Sequence, residues 1–246
     1  MPVYRLADRA IVRVSPLDGS EDAGTFLQGL LTNDVTGSGP TYAALLTAQG
    51  KAMFDMIVWR DDADVLLDCE AERAEDLAKR LSLYRLRRKI DISVDPELGI
   101  FWSEDEFDGA APDPRLPALG YRRVGQFLDG IESGSEHYLG HRLAHGVAEG
   151  FAELGDILWL ETNAAELNGV SFTKGCYIGQ ENTARMNWRS KVNRRLVVVP
   201  LEQSQEKRRK AEYPALGLAV DHLRVDDIPP EHVPDWMTLQ SGSDES

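Results

Sequence analysis

The chain has 246 residues and a formal charge of -14, because 41 acidic residues outnumber 27 basic ones. This charge disfavours binding to phosphate backbones, and charged residues interrupt every apolar run before the ~20 residues that span a bilayer. The first residues lack the apolar core of a secretion signal. Only Cys69 and Cys176 are present, so no disulfide scaffold or closed metal site is expected. We therefore predict a cytoplasmic protein without membrane or direct nucleic-acid contacts.

Strands and a first amphipathic helix are predicted over the first sixty residues. Residues 6–14 mix apolar and charged side chains as an edge strand does, and a helix capped by Ser20 follows. The helical spacing i, i+3, i+4, i+7 defines a core face made of Ala23, Phe26, Leu27 and Leu30. Two strands, 42–47 and 52–60, are joined by a hairpin turn at 49–51.

A longer amphipathic helix is predicted over residues 74–84, after a short strand at 65–68. Apolar residues recur there at helical spacing, without Gly or Pro. Cations cluster at its carboxyl end, where they complement the helix dipole, and we interpret them as a solvated helix end. They are Arg85, Arg87, Arg88 and Lys89.

The middle of the chain is predicted to be irregular. Residues 105–120 are acidic and rich in Pro and Gly, which is typical of a flexible surface loop. A compact apolar strand is expected over 157–160. Asn163, followed three residues later by Glu166, resembles a capping box that opens a short helix.

The carboxyl-terminal part has the pattern of a small barrel remnant. Two apolar strands, 196–199 and 216–220, flank a charged insert at 202–212. The Ser, Gly and acidic tail at 241–246 is expected to be disordered.

The strongest chemical signal is Lys-Gly-Cys-Tyr-Ile-Gly-Gln-Glu at residues 174–181. Two glycines bracket Cys176 in a tight turn, Lys174 lies two residues away, and a helix is predicted over 180–186. A cation and a helix amino terminus near the sulfur favour its thiolate form, which is the reactive one. The alternative, that Cys176 packs as a small apolar side chain, stays open.

This octapeptide resembles the signature of the YgfZ family of folate-binding proteins, a branch related to the glycine-cleavage T protein. Further similar segments lie at 22–34, 46–59, 113–122 and 184–196, so that the resemblance covers the chain to about residue 200. It implies an α+β, GcvT/YgfZ-like three-lobed fold in which ferredoxin-like halves surround a central folate cavity, with a truncated carboxyl-terminal β-barrel.

The same resemblance implies a domain organisation. Residues 1–195 would form the folate-binding region of two interleaved α+β lobes. Residues 196–240 would form the reduced barrel, and 241–246 the tail.

The resemblance also implies the site residues. Asp55 lies where the T protein has a pair of adjacent acids, the other acid being replaced here by Phe54. Glu161 corresponds to the carboxylate that binds the pterin, and Arg185 to a contact with the glutamate tail of tetrahydrofolate. Within the motif, Lys174 and Tyr177 complete the predicted cofactor contacts, and Cys176 joins Asp55 as a catalytic candidate.

Each of these assignments has a structural alternative. Asp55 could be the solvent-facing acid of an alternating strand, and Glu161 an ordinary strand-end charge. The basic patch around Arg185 could simply be solvated; its other members are Arg189, Lys191, Arg194 and Arg195.

Relatives of this type imply a function in iron-sulfur cluster assembly or repair. The predicted protein is a tetrahydrofolate-binding accessory factor whose partners are iron-sulfur client proteins or assembly factors, and which indirectly supports tRNA modification by iron-sulfur enzymes. Two alternatives remain. One is a folate-dependent aminomethyltransferase, against which Phe54 counts because general-base chemistry loses one acid. The other is a ligand-free interaction module on the same scaffold.

Overall fold

The computed structural model describes residues 2–127, 130–188 and 192–239, and within them the chain forms twelve strands and five α-helices. The strands are β1 (Tyr4–Leu6), β2 (Arg9–Pro16), β3 (Thr41–Leu46), β4 (Ala52–Asp61), β5 (Asp64–Glu70), β6 (Ile90–Asp95), β7 (Leu98–Ser103), β8 (Ala111–Pro112), β9 (Tyr121–Gln126), β10 (Arg194–Pro200), β11 (Arg209–Tyr213) and β12 (Leu218–Arg224). The helices are α1 (Ala23–Gln28), α2 (Ala74–Arg85), α3 (Ser135–Ala144), α4 (Phe151–Leu154) and α5 (Gln180–Trp188). The α+β prediction is confirmed.

The largest sheet has five antiparallel strands in the order β3-β4-β5-β2-β6. Side chains alternate along its strands, so that Phe54 and Met56 of β4 pack in the core cluster that contains the residues of α1 and α2, whereas Asp55 and Ile57 face the other way. The second face is covered by the later part of the chain. Both faces of this sheet are therefore buried.

Several predicted elements of this first region are confirmed. The hairpin β3–β4, strand β5 and helix α2 lie where their patterns indicated, and the four core residues predicted on α1 are all buried. The edge position of residues 6–14 is wrong, because β2 pairs with both β5 and β6. Its charges are tolerated inside the sheet since Arg13 binds the carboxylates of Asp64 and Asp95.

The cap of α1 also differs from the prediction. Asp22, not Ser20, is the amino-terminal cap, and its Oδ1 accepts a hydrogen bond of 2.6 Å from the backbone N–H of Thr25. Ser20 instead donates its hydroxyl to Asp18 in the preceding turn. Both residues are good caps, and the turn decides which one reaches the helix.

A four-stranded antiparallel sheet, β1-β7-β9-β8, forms the second unit, with Tyr138 of α3 packed against its Trp102. The predicted loop at 105–120 enters this unit and is not a flexible excursion throughout. It supplies β8 and a short 3-10 helix at Pro117–Leu119, and it buries Asp113 and Arg115 to 2% and 1% exposure. Mutual ion pairing makes this burial possible.

The third sheet is three-stranded, in the order β10-β12-β11, and does not close into a barrel within the described residues. It begins at Arg194, next to the predicted boundary at residue 196. The predicted charged insert at 202–212 contains β11, an edge strand, where charged side chains are compatible with sheet pairing. The predicted tail, 241–246, lies outside the described residues.

The predictions for residues 157–166 are wrong in detail. Leu158 forms a single bridge with Lys51, and Trp159–Thr162 is a 3-10 helix, so no strand forms there. Asn163 ends this helix in the left-handed conformation and donates its amide to the carbonyl of Leu196. The tertiary contact overrides the local capping pattern.

Candidate functional site

The motif loop, defined here as residues 169–179, is fixed to the turn that follows α1. The ammonium of Lys174 donates to three backbone carbonyls there, those of Gln28, Leu31 and Asn33, at 2.7, 2.6 and 2.9 Å. Partial burial lowers the pKa of Lys174 to about 8. Thr32 adds a hydrogen bond of 2.7 Å from its hydroxyl to the carbonyl of Gly169. The motif lysine therefore anchors the loop.

The other end of the motif loop rests on the β3–β4 hairpin turn. Gly179 has a φ of 81°, and a Cβ at this position would lie 2.5 Å from the carbonyl oxygen of Thr47, so only glycine fits. Asn182, in the first turn of α5, donates its amide to the carbonyl of Gln49 at 2.6 Å. The helix predicted over 180–186 is confirmed as α5.

Cys176 is exposed at the surface between these two anchors. The other thiol, Cys69, is buried in the sheet, where burial raises its pKa to about 12. Lys174, predicted to favour the thiolate of Cys176 and to contact the cofactor, donates its ammonium hydrogens to three backbone carbonyls. Of the two cysteines, only Cys176 is accessible to a partner.

A second chemically distinctive feature is a network of buried ions on the inner face of the five-stranded sheet. Each member is 8% exposed or less, and each contacts at least one group of opposite charge. The network consists of Arg9, Asp68, Asp113, Arg115, Arg122 and Glu149. Its members come from both the five-stranded and the four-stranded unit, so the ion pairs join the two.

Glu149 is the acceptor at the centre of this network. It accepts hydrogen bonds from Arg115 at 2.5 Å and from the hydroxyl of Tyr138 at 3.2 Å, and its other oxygen lies 3.4 Å from Nη1 of Arg9. Burial alone would raise the pKa of Glu149, but the guanidiniums of Arg115, Arg9 and Arg122 hold it well below its ordinary value. Glu149 is ionised in the folded protein.

Asp55 lies beside this network without an ion-pair partner of its own. Its Oδ1 accepts a hydrogen bond of 3.2 Å from the backbone N–H of Gly150, and the Tyr42 hydroxyl is 3.5 Å from Oδ2. Burial raises the pKa of Asp55 to about 6. The solvent-facing interpretation of this residue is wrong, because both faces of its sheet are covered.

A cavity of about 440 Å³ opens against the ion network. Arg9, Arg142 and Glu149 form its charged inner wall, and Glu70 and Tyr213 lie at its sides. Neither Asp55 nor Cys176 is among the residues that line it. We call it the central cavity, since its walls combine residues of β2, β5, α3 and β11.

The six predicted site residues do not converge on one place. Lys174 and Tyr177 are neighbours in the motif loop, with the ammonium 5.3 Å from the centre of the tyrosine ring. Glu161 pairs with His222 of β12 at 3.0 Å, away from the lining of the central cavity. Arg185 is exposed and pairs with Glu181 one helical turn earlier.

Sequence reasoning missed the cavity-lining charges, above all Glu149 and Arg9. One signal was present: acids such as Asp55 and Asp68 follow apolar residues within largely apolar strands. Charged residues in a strand are assigned to the solvent-exposed face when only one face of the sheet is assumed to be buried. Their pairing across two sheets is visible only in three dimensions.

The architecture is that of glycine-cleavage aminomethyltransferases. The crystal structure of aminomethyltransferase T from Bartonella henselae aligns with 92% of this chain and 78% of that chain, with a TM-score of 0.63 and 11% identity. At this identity the similarity establishes the fold alone. The GcvT-like fold predicted from the sequence is confirmed.

Sequence comparison identifies the homologues more specifically. The chain is 35% identical over 242 residues to the mitochondrial iron-sulfur cluster assembly factor IBA57 of Mus musculus, and 36% identical over 236 residues to that of Homo sapiens. These alignments cover 81% and 80% of this chain but 66% and 65% of the relatives, so the chain spans about two thirds of their length. No family model matches the chain. The chain is thus similar in sequence to the IBA57 assembly factors over just under two thirds of their length.

These relatives correct the predicted location. They are named as mitochondrial proteins, which contradicts the cytoplasmic prediction. That prediction relied on the lack of an apolar secretion signal, a criterion that does not detect amphipathic mitochondrial targeting segments. Among the described helices, none combines the length and apolar character of a membrane span, and the described residues contain no cluster of three or more metal-binding side chains.

The central cavity fits a reduced pterin in size and donor set. Its volume lies in the range of ordinary ligand pockets, and its wall offers carboxylates to accept N–H groups and guanidiniums to donate. Nη1 of Arg9 is buried without a hydrogen bond. Gly150 keeps the wall open, because a Cβ there would lie 2.8 Å from Oε1 of Glu70.

Proposed function

We propose that this protein is an accessory factor in iron-sulfur cluster assembly and that Cys176 is its cluster-facing or partner-facing thiol. The observation that carries the proposal is the exposed sulfur on a loop anchored at both ends, in a homologue of the IBA57 assembly factors. Because the anchored loop is already ordered before a partner binds, less conformational entropy is lost on binding. The thiol loses its proton to solvent when it ligates iron.

A cluster could be held only jointly with another protein. Iron-sulfur clusters take four cysteine or histidine ligands, whereas Cys176 is the accessible thiol here and the described residues bring no three potential ligands together. The cluster is therefore cargo that is shared during transfer, and the partner is a client or assembly protein that supplies the remaining ligands. Support of tRNA modification follows indirectly, through clients that are themselves iron-sulfur enzymes.

We further propose that tetrahydrofolate binds in the central cavity. Glu149 and Glu70 would accept hydrogen bonds from the pterin amide and amine, and Arg9 would donate from Nη1, which lies 3.4 Å from Glu149 and makes no hydrogen bond. When bound, folate would supply one-carbon chemistry. In this protein its proposed role is instead to stabilise the lobes that the ion network joins. The sequence resemblance instead assigned pterin binding to Glu161. Glu161 pairs with His222 away from the central cavity, so the two placements of the pterin are alternatives.

Complementation tests the thiol. Cys176→Ser should retain the folded structure and lose rescue of iron-sulfur enzyme activity in a strain that lacks the protein, because serine does not offer a thiolate to iron. The control is Cys69→Ser, which alters a buried thiol that a partner cannot reach and should still rescue when expressed to equal level. Full rescue by Cys176→Ser would remove the thiol from the mechanism.

Calorimetry with tetrahydrofolate tests the cavity. Glu70→Gln, a change in the cavity wall outside the buried ion network, should weaken binding by about 1–3 kcal/mol, since a charged acceptor of hydrogen bonds becomes neutral. Glu161→Gln, a matched change at the His222 pair, should leave the isotherm unchanged. The reverse result would move the ligand to Glu161, and absence of binding by the unaltered protein would favour the ligand-free interaction module.

An aminomethyltransferase is the second candidate, favoured by the fold and by the raised pKa of Asp55. Against it, Phe54 packs in the core beside α2, and Asp55 does not line the central cavity. A glycine-cleavage assay with the lipoyl carrier protein decides between the two functions. Turnover that Asp55→Asn abolishes would establish the transferase.

A further inference from the structure

A basic and apolar patch lies at the carboxyl end of α2, outside both proposed sites. Residues 79–89 contain six Lys or Arg residues and no acid, in a chain of net charge -14. Three leucines are exposed among or beside them: Leu17 and Leu83 to 65%, and Leu86 to 86%. We call these residues the α2 patch. Solvation of a helix end explains why the cations are exposed, but it does not explain the exposure of the three leucines.

Leu86 has a backbone conformation that its own chain does not explain. Its φ is 50° and ψ is -109°, in a turn closed by the hydrogen bond from Arg88 N–H to the carbonyl of Arg85 at 2.9 Å. Glycine is the usual residue at positive φ after a helix, and a bulky side chain there is an outlier. Since Leu86 packs against almost nothing, neither the backbone strain nor the apolar exposure is compensated within the described residues.

The cations around Leu86 are held in two different ways. Lys89 binds Asp18 at 2.7 Å and Arg88 lies 3.7 Å from Glu21, so these two are positioned by acids of the preceding turn. Arg87 is exposed and makes no ion pair within the part of the chain that the structure covers. Leu86 is thus surrounded by two cations paired with acids, Arg88 and Lys89, and by the unpaired guanidinium of Arg87.

We infer that the α2 patch docks an acidic segment of a partner protein whose apolar side chains cover Leu86. Charge complementarity selects this occupant, because six cations and no acid over residues 79–89 attract an acidic segment, whereas the net charge of -14 disfavours its approach to the protein as a whole. Apolar contact at the centre with charges at the rim is the usual arrangement of a specific interface.

The α2 patch and the motif loop both contact helix α1. Helix α1 links the two, since the guanidinium of Arg88 lies 5.8 Å from the ring of Phe26, and Lys174 binds the carbonyl of Gln28 two residues later. The inference does not depend on Cys176 being the working thiol, because it concerns binding alone.

Fluorescence anisotropy with a labelled acidic peptide tests the patch. The probe is a short peptide of Glu and Asp interspersed with Leu, and its control has Ser in place of each Leu. Leu86→Gly removes the side chain and suits the positive φ, so this variant should fold and bind the probe about fivefold more weakly. Arg87→Glu should weaken binding about tenfold at low salt, with the difference shrinking as salt screens the charges.

Two matched variants in the segments next to β11 provide controls. Leu216→Gly removes another exposed leucine and Arg208→Glu makes the same charge change, and both should bind the probe like the unaltered protein. The inference is overturned if the patch variants bind as well as the controls, or if the Ser peptide binds as tightly as the Leu peptide. Tighter binding to duplex RNA or anionic vesicles, or self-association that Arg87→Glu abolishes, would equally overturn it by identifying another occupant.

Discussion

Replacing Asp55 by Asn should stabilise the protein at neutral pH. The carboxyl is buried without a cationic partner, and its pKa rises from 3.8 to about 6. An acid whose folded-state pKa lies above its unfolded-state value binds its proton more tightly in the folded state. The folded state therefore loses stability as pH rises from 3.8 to 6, and the full loss is present above that window.

The size of the effect follows from the shift. Each unit of pKa corresponds to 1.36 kcal/mol, so ionised Asp55 costs the folded state about 3 kcal/mol at pH 7.5 and about 1 kcal/mol at pH 4.5. Asn is nearly isosteric and keeps an oxygen for the N–H of Gly150. The stability of Asp55→Asn relative to the unaltered protein should thus increase by about 2 kcal/mol between these pH values.

Urea unfolding followed by circular dichroism at both pH values measures this difference. The matched control is Asp68→Asn, the same chemical change in a fully buried residue that pairs with Arg9 and Arg122. It should destabilise the fold by about 3–5 kcal/mol, because it leaves buried guanidiniums without their counter-charge. A pH-independent difference for Asp55→Asn, or destabilisation by it at pH 7.5, would refute the reasoning.

Three further variants test how the site is held. Lys174→Met should lower the free energy of unfolding by about 1–3 kcal/mol and speed amide exchange around Leu31, because three partly buried carbonyls lose their donor; unchanged exchange would show that the ammonium is not the anchor. Gly179→Ala should destabilise by about 1–3 kcal/mol, since the methyl meets the Thr47 carbonyl, and a neutral result in thermal unfolding would contradict that packing. Arg142→Met should cost about 3–5 kcal/mol in urea unfolding by leaving Glu153 buried and unpaired, and a smaller cost would mean that Glu153 is hydrated.

The local pattern of the sequence was sufficient for the elements whose stability is local. Helix α2 and the β3–β4 hairpin follow from apolar spacing and turn composition, and these features depend on residues close in the chain. The resemblance carried by residues 174–181 led to the GcvT-like fold, whereas the sequence left open whether Cys176 is packed or reactive, and the structure places it at the surface. The basic cluster after α2 was also visible, though not the exposed Leu86 within it.

Only the tertiary structure determines which charged residues are buried and which groups they pair with. Asp55, Asp68 and Arg9 alternate with apolar residues in strands, and such alternation indicates a wet face when a sheet has one covered side. Here the second face is covered by the later part of the chain, so the same residues become a buried ion network that joins two sheets. Glu149 becomes part of the cavity wall for the same reason, and Glu161 is committed to His222. Pairing across distant segments is a property of packing, which periodicity along the chain does not encode.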